Sequence, residues 1–357
     1  MSIINRYIAS HIVSSTLTVM GVLLALFTFF AFSDELGDTG KGAYTAYDAL
    51  VFSLSRMPGM AYELFPSAAL IGTMMGLGAL AGNSELTAIR AAGYSLAKLV
   101  FGVLRLGVML MLLVFAIGEW VAPVAQQYGE TLRSLAINQK VSLQTETGLW
   151  VRDGNKVINI GEMRAGGHVL NLNIYELNEQ NQLASVTRAD EAFYQADKDV
   201  WRLEGLKKNT LSEDEGVIIE THAHTLMQGL LSPTMLDVVV VEPSSMSIRD
   251  LYNYVDYLRA NGLESRKYEQ AMWSKIVSPM STVVMVLLAV PFIFGSTRTV
   301  TAGHRILVGT MVGIGFYLLS QVFGYVGLVY EINPLIAAVT PTLVFLLAAL
   351  HLLRRVH

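Results

Sequence analysis

Five stretches of this chain carry no charged side chain: 12–32, 64–83, 276–297, 306–330 and 332–350. Each is long enough, at about 1.5 Å per residue, for a helix to cross a hydrocarbon core of roughly 30 Å. A sixth run, 99–121, is broken only by Arg105 near one end and Glu119 near the other. Backbone in hydrocarbon must satisfy its own hydrogen bonds, so runs of this length dictate helices. The chain is therefore expected to be an α-helical polytopic membrane protein with six spans. Its charged fraction of 15% agrees, since soluble domains carry about a quarter. The first run exceeds a signal-peptide core, and no small-residue cleavage pattern follows it before the acidic SDELGD, so it is expected to stay as a helix.

Basic residues beside the spans set the orientation. Arg6, Arg90, Lys98, Arg298, Arg305, Arg354 and Arg355 fall on one side. The opposite short connections hold Asp34, Glu35, Asp38, Lys41, Asp48, Arg56 and Glu331, mainly acidic. Both termini are expected to face the cytoplasm. The long polar segment between spans three and four then lies outside it. There, Leu149-Trp150-Val151 and 157–160 flank Asp153-Gly154, a hairpin signal, and Leu170, Leu172 and Ile174 alternate with polar neighbours. Short runs at 183–187, 192–194, 200–203, 217–221 and 236–241 follow, separated by NEQNQ and ADKD. Many short strands at this spacing point to an all-β domain of sandwich or barrel type. After Glu242-Pro243 the period becomes helical, with Ile248, Leu251, Tyr252, Val255 and Leu258 on one stripe, Ser247 as N-cap and Asn261-Gly262 as stop. The expected division is 1–122 for the first three spans, 123–245 for the β-domain, and 246–357 for an amphipathic helix and the last three spans.

Motifs for chemistry are few. GDTGKG from Gly37 lacks the phosphate-loop spacing, and H-E-x-x-H and G-x-S-x-G do not occur. No cysteine is present, so disulfides and thiolate metal sites are excluded. His222 and His224 share one strand face, but chelation needs a third ligand that the sequence does not supply. Glu63, Arg105 and Glu119 lie near span ends, from which side chains reach water. A membrane enzyme would need an acid–base pair near the outer interface, and the spacing gathers none. Spans this free of charge suit an apolar cargo. Small-residue patterns, Gly72-x-x-x-Gly76, Gly78-x-x-x-Gly82 and Gly309-x-x-x-Gly313, predict close helix packing.

The connection GNSELTAIRAAGYS, 82–95, is a short amphipathic helix on the side assigned to the cytoplasm. Asn83 or Ser84 can cap it, Glu85 complements its dipole, Leu86, Ile89 and Arg90 follow at helical spacing, and Gly93 stops it. On the residues alone two readings stay open. It is a surface turn, or it is a plug for a soluble partner's groove, with Glu85 meeting a cation there and Leu86, Ile89 and Arg90 beside it. A transport subunit without its own nucleotide site needs such a contact.

GNSELTAIRAAGYS, FPSAALIGTMMGLGALA, AIGEWVAP, GLWVRDGN, MWSKIVSPMSTVVMVLLAVPFIFG and GFYLLSQVFG together resemble the lipopolysaccharide-export permease family, across essentially the whole chain. The resemblance implies six transmembrane helices with a periplasmic β-jellyroll between helices three and four. It implies a multi-pass protein of the inner membrane, paired with the sister permease LptF and a dimer of the cytoplasmic ATPase LptB. LptC and a periplasmic bridge would receive the cargo, lipopolysaccharide. No cofactor is implied in this chain; ATP and Mg belong to the partner ATPase. Glu85 falls on the family's coupling glutamate, and Arg133 on a basic position facing lipid phosphates. A family lysine near the outer end of helix one is absent, the stretch reading FFAFSDEL, and Lys41, Arg56 or Lys140 stand as substitutes. Phe65, Phe316 and Tyr317 are candidates for cavity wall. The alternative is a subunit that moves a periplasmic partner without carrying lipid.

Overall fold

The computed structural model describes residues 3–138, 149–153, 155–164, 168–178, 180, 182–195, 200–212, 216–227, 242–294 and 302–355. Among the described residues, six helical stretches are long and apolar enough to cross a membrane: Ile3–Asp38, Met57–Gly82, Leu96–Ile137, Arg266–Phe294, Gly303–Val329 and Pro334–Arg355. The second and fourth have 72% of their most apolar stretch buried, whereas the fifth has 17%. The second and fourth spans therefore form the axis of the bundle, and the others flank it with apolar faces turned outward.

Glycine sets the closest approach. In α1 (Ile3–Glu35) the Thr16 backbone lies over Gly72 of α3 (Met57–Gly82), where a Cβ would stand 2.4 Å from the Thr16 Cα. At Gly76 the distance to the Ile12 Cα would be 2.9 Å. The expected small-residue seam is thus real, and it seats the first span on the second. Gly309 and Gly313 of the fifth span face Met74 and Ser67 of α3 in the same way, and the Ser67 hydroxyl donates to the Gly313 carbonyl at 3.0 Å. The third pattern behaves differently: Gly78 meets the side chain of Arg305, and nothing approaches Gly82 within 4 Å.

Between the first two spans, α2 (Ala46–Ser55) starts from a capping box, in which Thr45 and Asp48 satisfy each other's backbone N–H groups. A short helix α4 (Glu85–Ala91) links the second and third spans. The third is one long rod: α5 (Leu96–Ala116), a π-helical turn (Ile117–Val121) and α6 (Ala122–Asn138). Residues 123–138, assigned from sequence to the β-domain, are therefore a helical continuation of the span.

Among the described residues, six strands follow: β1 (Leu149–Asp153), β2 (Lys156–Arg164), β3 (His168–Leu177), β4 (Leu183–Gln195), β5 (Val200–Ser212) and β6 (Gly216–Met227). They pair antiparallel in sequence order, a meander. The runs expected at 183–187 and 192–194 are one strand, β4. The Asp153–Gly154 hairpin is closed by the Asp153–Lys156 pair, with Gly154 itself outside the described residues. The run at 236–241, Arg298 and Lys140 also lie outside them. The alternation shifts phase along a line across the sheet. Buried positions pass from Val169 to Leu172, from Ala189 to Ala192 and from Leu203 to Leu206. Asn171 and Gly205 sit at this line with φ of 53° and 66°. Such irregularities bend a sheet, which curves this one around its apolar face.

The chain returns through α7 (Ile248–Ala260), capped by Ser247, which accepts from the Asp250 N–H at 3.1 Å. Its buried stripe is Leu251, Tyr254, Val255 and Leu258; Tyr252, expected on that stripe, is exposed. Leu251, Tyr254 and Leu258 pack against Tyr268, Ala271 and Met272 at the start of α8 (Arg266–Phe294), while Tyr257 reaches the apolar face of the sheet. Helix α7 is thus wedged between sheet and bundle. α9 (Ala302–Val329) and α10 (Pro334–Arg355) complete the fold.

Candidate functional site

At one end of the bundle α4 is held from three sides. Glu85 accepts from the Tyr7 hydroxyl of α1 at 2.7 Å and from the Asn83 amide at 3.2 Å. These donors, Tyr7 first, hold its carboxyl below the usual carboxylate range. Leu86 is 3% exposed, and Ile89 packs against the same apolar cluster of the first four spans. The Arg90 guanidinium lies 5.8 Å from the centre of the Phe294 ring at the end of α8. Tyr94, just beyond, donates to the Asn5 side chain. Ser84 takes a left-handed conformation, φ 62°, and makes no side-chain cap; Gly93 closes the turn at φ 88°.

At the opposite end, Arg133 projects from α6 toward the acidic end of the first span. Its guanidinium pairs with Glu35 and, at 2.5 Å, with Asp38. Lys41 pairs with the same Asp38 at 2.5 Å. The Tyr44 hydroxyl donates to Glu35 at 3.1 Å, and Phe52 lies under the guanidinium, 5.4 Å from ring centre to Cζ. Both cations expected to meet phosphate are thus already neutralised by carboxylates of their own chain.

A cavity of about 250 Å³ lies between the spans at this same end. Glu63, Gln126, Gln270 and Lys275 contribute to its polar wall, and Phe316, Tyr317 and Gln321 to another side. Phe316 is 8% exposed and stacks edge-to-face on Phe345 at 5.2 Å. Beside it, the Tyr62 hydroxyl donates to the Lys275 carbonyl at 2.5 Å, the Lys275 ammonium to the Met246 carbonyl, and the Ile248 N–H to Glu119 at 2.9 Å.

A family model described as "Lipopolysaccharide export system permease LptF/LptG" matches residues 6–355. The chain belongs to the LptF/LptG family. It is 36% identical over 353 residues to the lipopolysaccharide export system permease protein LptG of Escherichia coli K12, covering 99% of this chain and 98% of that one. The LptG protein of Haemophilus influenzae is 32% identical over 352 residues, with the same coverage. For an LptF/LptG member, the coarse architecture follows as expected: a multi-pass helical membrane protein with an antiparallel sheet inserted between its third and fourth spans.

Of the sequence-selected residues, this LptF/LptG chain brings Lys41 and Arg133 together on one carboxylate, and Phe316 and Tyr317 on one cavity wall. Phe65 is not part of that wall; at 5% exposure it packs into the core of the first four spans. Leu86 and Ile89 turn inward, so the apolar side chains expected to meet a partner instead anchor α4. Thr87, Ala88 and Ala91 are exposed in their place. Arg56 lies 5.7 Å from the Phe52 ring. His222 and His224 both lie exposed on β6. Sequence reasoning missed Tyr7 and Lys275. Tyr7 gives no periodic signal, and Lys275, next to an uncharged run, reads as a boundary marker. The helix in fact begins at Arg266, which puts Lys275 well inside the span and buried.

Proposed function

We propose that this chain is the non-catalytic permease subunit of an ATP-driven exporter that lifts lipopolysaccharide out of the inner membrane toward a periplasmic bridge. Its sister permease is LptF, its motor an LptB dimer that holds ATP and Mg, and its periplasmic acceptor LptC. The observation that carries the reading is the clamping of α4, joined to the first span through Tyr7, to the core through Leu86 and to the fourth span through Arg90. A displacement imposed on α4 is handed to several spans at once. Glu85 is anionic and still has lone pairs beyond the two donors it accepts, so a cation of the ATPase groove adds to its present bonds.

Drawing an acyl chain of about a dozen carbons through water costs roughly 10 kcal/mol at about 0.8 kcal/mol per CH₂. The cargo therefore needs a driven stroke and a sheltered path. The curved apolar face of the sheet suits the second requirement. Arg133 and Lys41 are proposed as phosphate contacts that exchange Glu35 and Asp38 for the lipid. The test is Glu85→Ala in the assembled complex. ATPase co-purification or lipopolysaccharide release should fall by tenfold or more while insertion is unchanged. Normal values for both would remove Glu85 as the contact. The alternative, motion without lipid carriage, is decided by a photo-crosslinker at Tyr317, which captures lipopolysaccharide only if this chain lines its path.

A further inference from the structure

The cavity between the spans carries chemistry that lipid export leaves unused. Glu63, itself exposed, lines that cavity with no hydrogen bond and no ion pair within 4.0 Å among the described residues. Lys275, 8% exposed, lines the same space. One of its protons is given to the Met246 carbonyl, which leaves two donors. The two charges do not meet each other. Lys275 is the buried charge here, and a buried charge without a counter-ion is costly, so an occupant that brings an anion to Lys275 and a cation to the unpaired Glu63 is favoured.

We propose that this cavity binds a zwitterionic aminophosphate head group, its ammonium on Glu63 and its phosphate on Lys275. Size agrees. A volume of about 250 Å³ lies just below the range of about 300–1,000 Å³ that encloses a drug-sized ligand, and so admits a head group but not a whole lipid. Access agrees as well. Tyr317, 37% exposed, and Gln321 form the lip on the fifth span, the span that turns most of its apolar surface outward. Acyl chains can lie along that face while the head group enters. The site shares Tyr317 with the proposed export path but uses neither Glu85 nor Arg133, so its failure leaves the export reading intact.

The full chain, in the complex with which it purifies, is exchanged into nanodiscs with equal phosphatidylethanolamine and phosphatidylglycerol, and retained lipid is counted by native mass spectrometry. Phosphatidylethanolamine should be favoured by about tenfold, a preference of about 1.4 kcal/mol. Glu63→Gln, which keeps shape and leaves the Lys275–Met246 bond in place, should bring the ratio close to one. Lys275→Met should do the same where it folds, and Glu63→Gln decides where it does not. A second arm titrates phosphatidylglycerol-only discs with O-phosphoethanolamine and follows the phosphorus resonance. Broadening that Glu63→Gln abolishes supports the same chemistry and assigns a soluble source; selectivity in the first arm alone assigns the lipid. Equal retention without broadening, or effects that Glu63→Gln does not change, overturns the proposal and leaves a water-filled cavity.

Discussion

Neighbours that can be removed one at a time hold the Glu85 pKa down. Tyr7 and Asn83 favour its anion, so the stabilisation they give is complete above the ordinary glutamate pKa of about 4.3. It is lost as pH falls through the lowered folded value. Tyr7→Phe removes the larger donor, and the Glu85 carboxyl should titrate at higher pH, as isotope-edited infrared spectroscopy would show. No change would mean that Tyr7 does not set its ionisation. Leu86 offers the contrasting case. Truncating a leucine that is 3% exposed to alanine leaves a cavity, and Leu86→Ala should cost about 2–5 kcal/mol in thermal unfolding, against less than about 0.5 kcal/mol for the exposed Thr87→Ala. The sequence places both residues on a short helix but does not say which face the rest of the chain covers. Spacing gives a stripe; only the neighbouring spans decide whether that stripe points to a partner or to the chain itself.

Among the elements, the spans were legible and their seams were half legible. A small-residue pattern says that a backbone can approach, not what approaches it. Gly72 and Gly76 receive the first span, whereas Gly82, in an equivalent pattern, receives nothing. Gly72→Val should therefore drive the first two spans apart and abolish recovery of monodisperse protein, while Gly82→Ala should leave recovery unchanged in size-exclusion chromatography. The α2 helix went unread although Thr45-x-x-Asp48 announces it, because its ten residues fall in a connection assigned by charge alone. In the sheet, strand existence was clear, but strand lengths were not. The phase shift between Ala189 and Ala192 breaks the two-residue period, so β4 read as two pieces. Gly205→Val should destabilise the domain by about 1–3 kcal/mol, since its φ of 66° is strained for a branched residue and its Cβ would stand 2.3 Å from the Asp190 carboxylate. Chemical denaturation of the full chain followed by tryptophan fluorescence would measure it.

For the molecule as a whole, hydropathy decided the number of crossings because hydrocarbon leaves the backbone no alternative to the helix. It could not decide where the third crossing ends. Past residue 121 the apolar run stops, but nothing stops the helix. Ala122 and Pro123 are both tolerated in the turn that follows the π segment, and the rod runs on to Asn138. The polar cavity was hidden for a related reason. Glu63 and Lys275 sit more than 200 positions apart in sequence and come together only when the second and fourth spans pair at the bundle's axis.

The length of that rod has a mechanical consequence. Arg133 stands twelve residues beyond Val121, about 18 Å along a helix. If the π turn acts as the fulcrum, an inclination of ten degrees would swing the guanidinium by roughly 3 Å, more than a hydrogen bond tolerates. A modest lean at membrane depth would thus be enough to unhook Arg133 from Glu35 and Asp38, converting tilt into a bared positive charge at the rod's far tip.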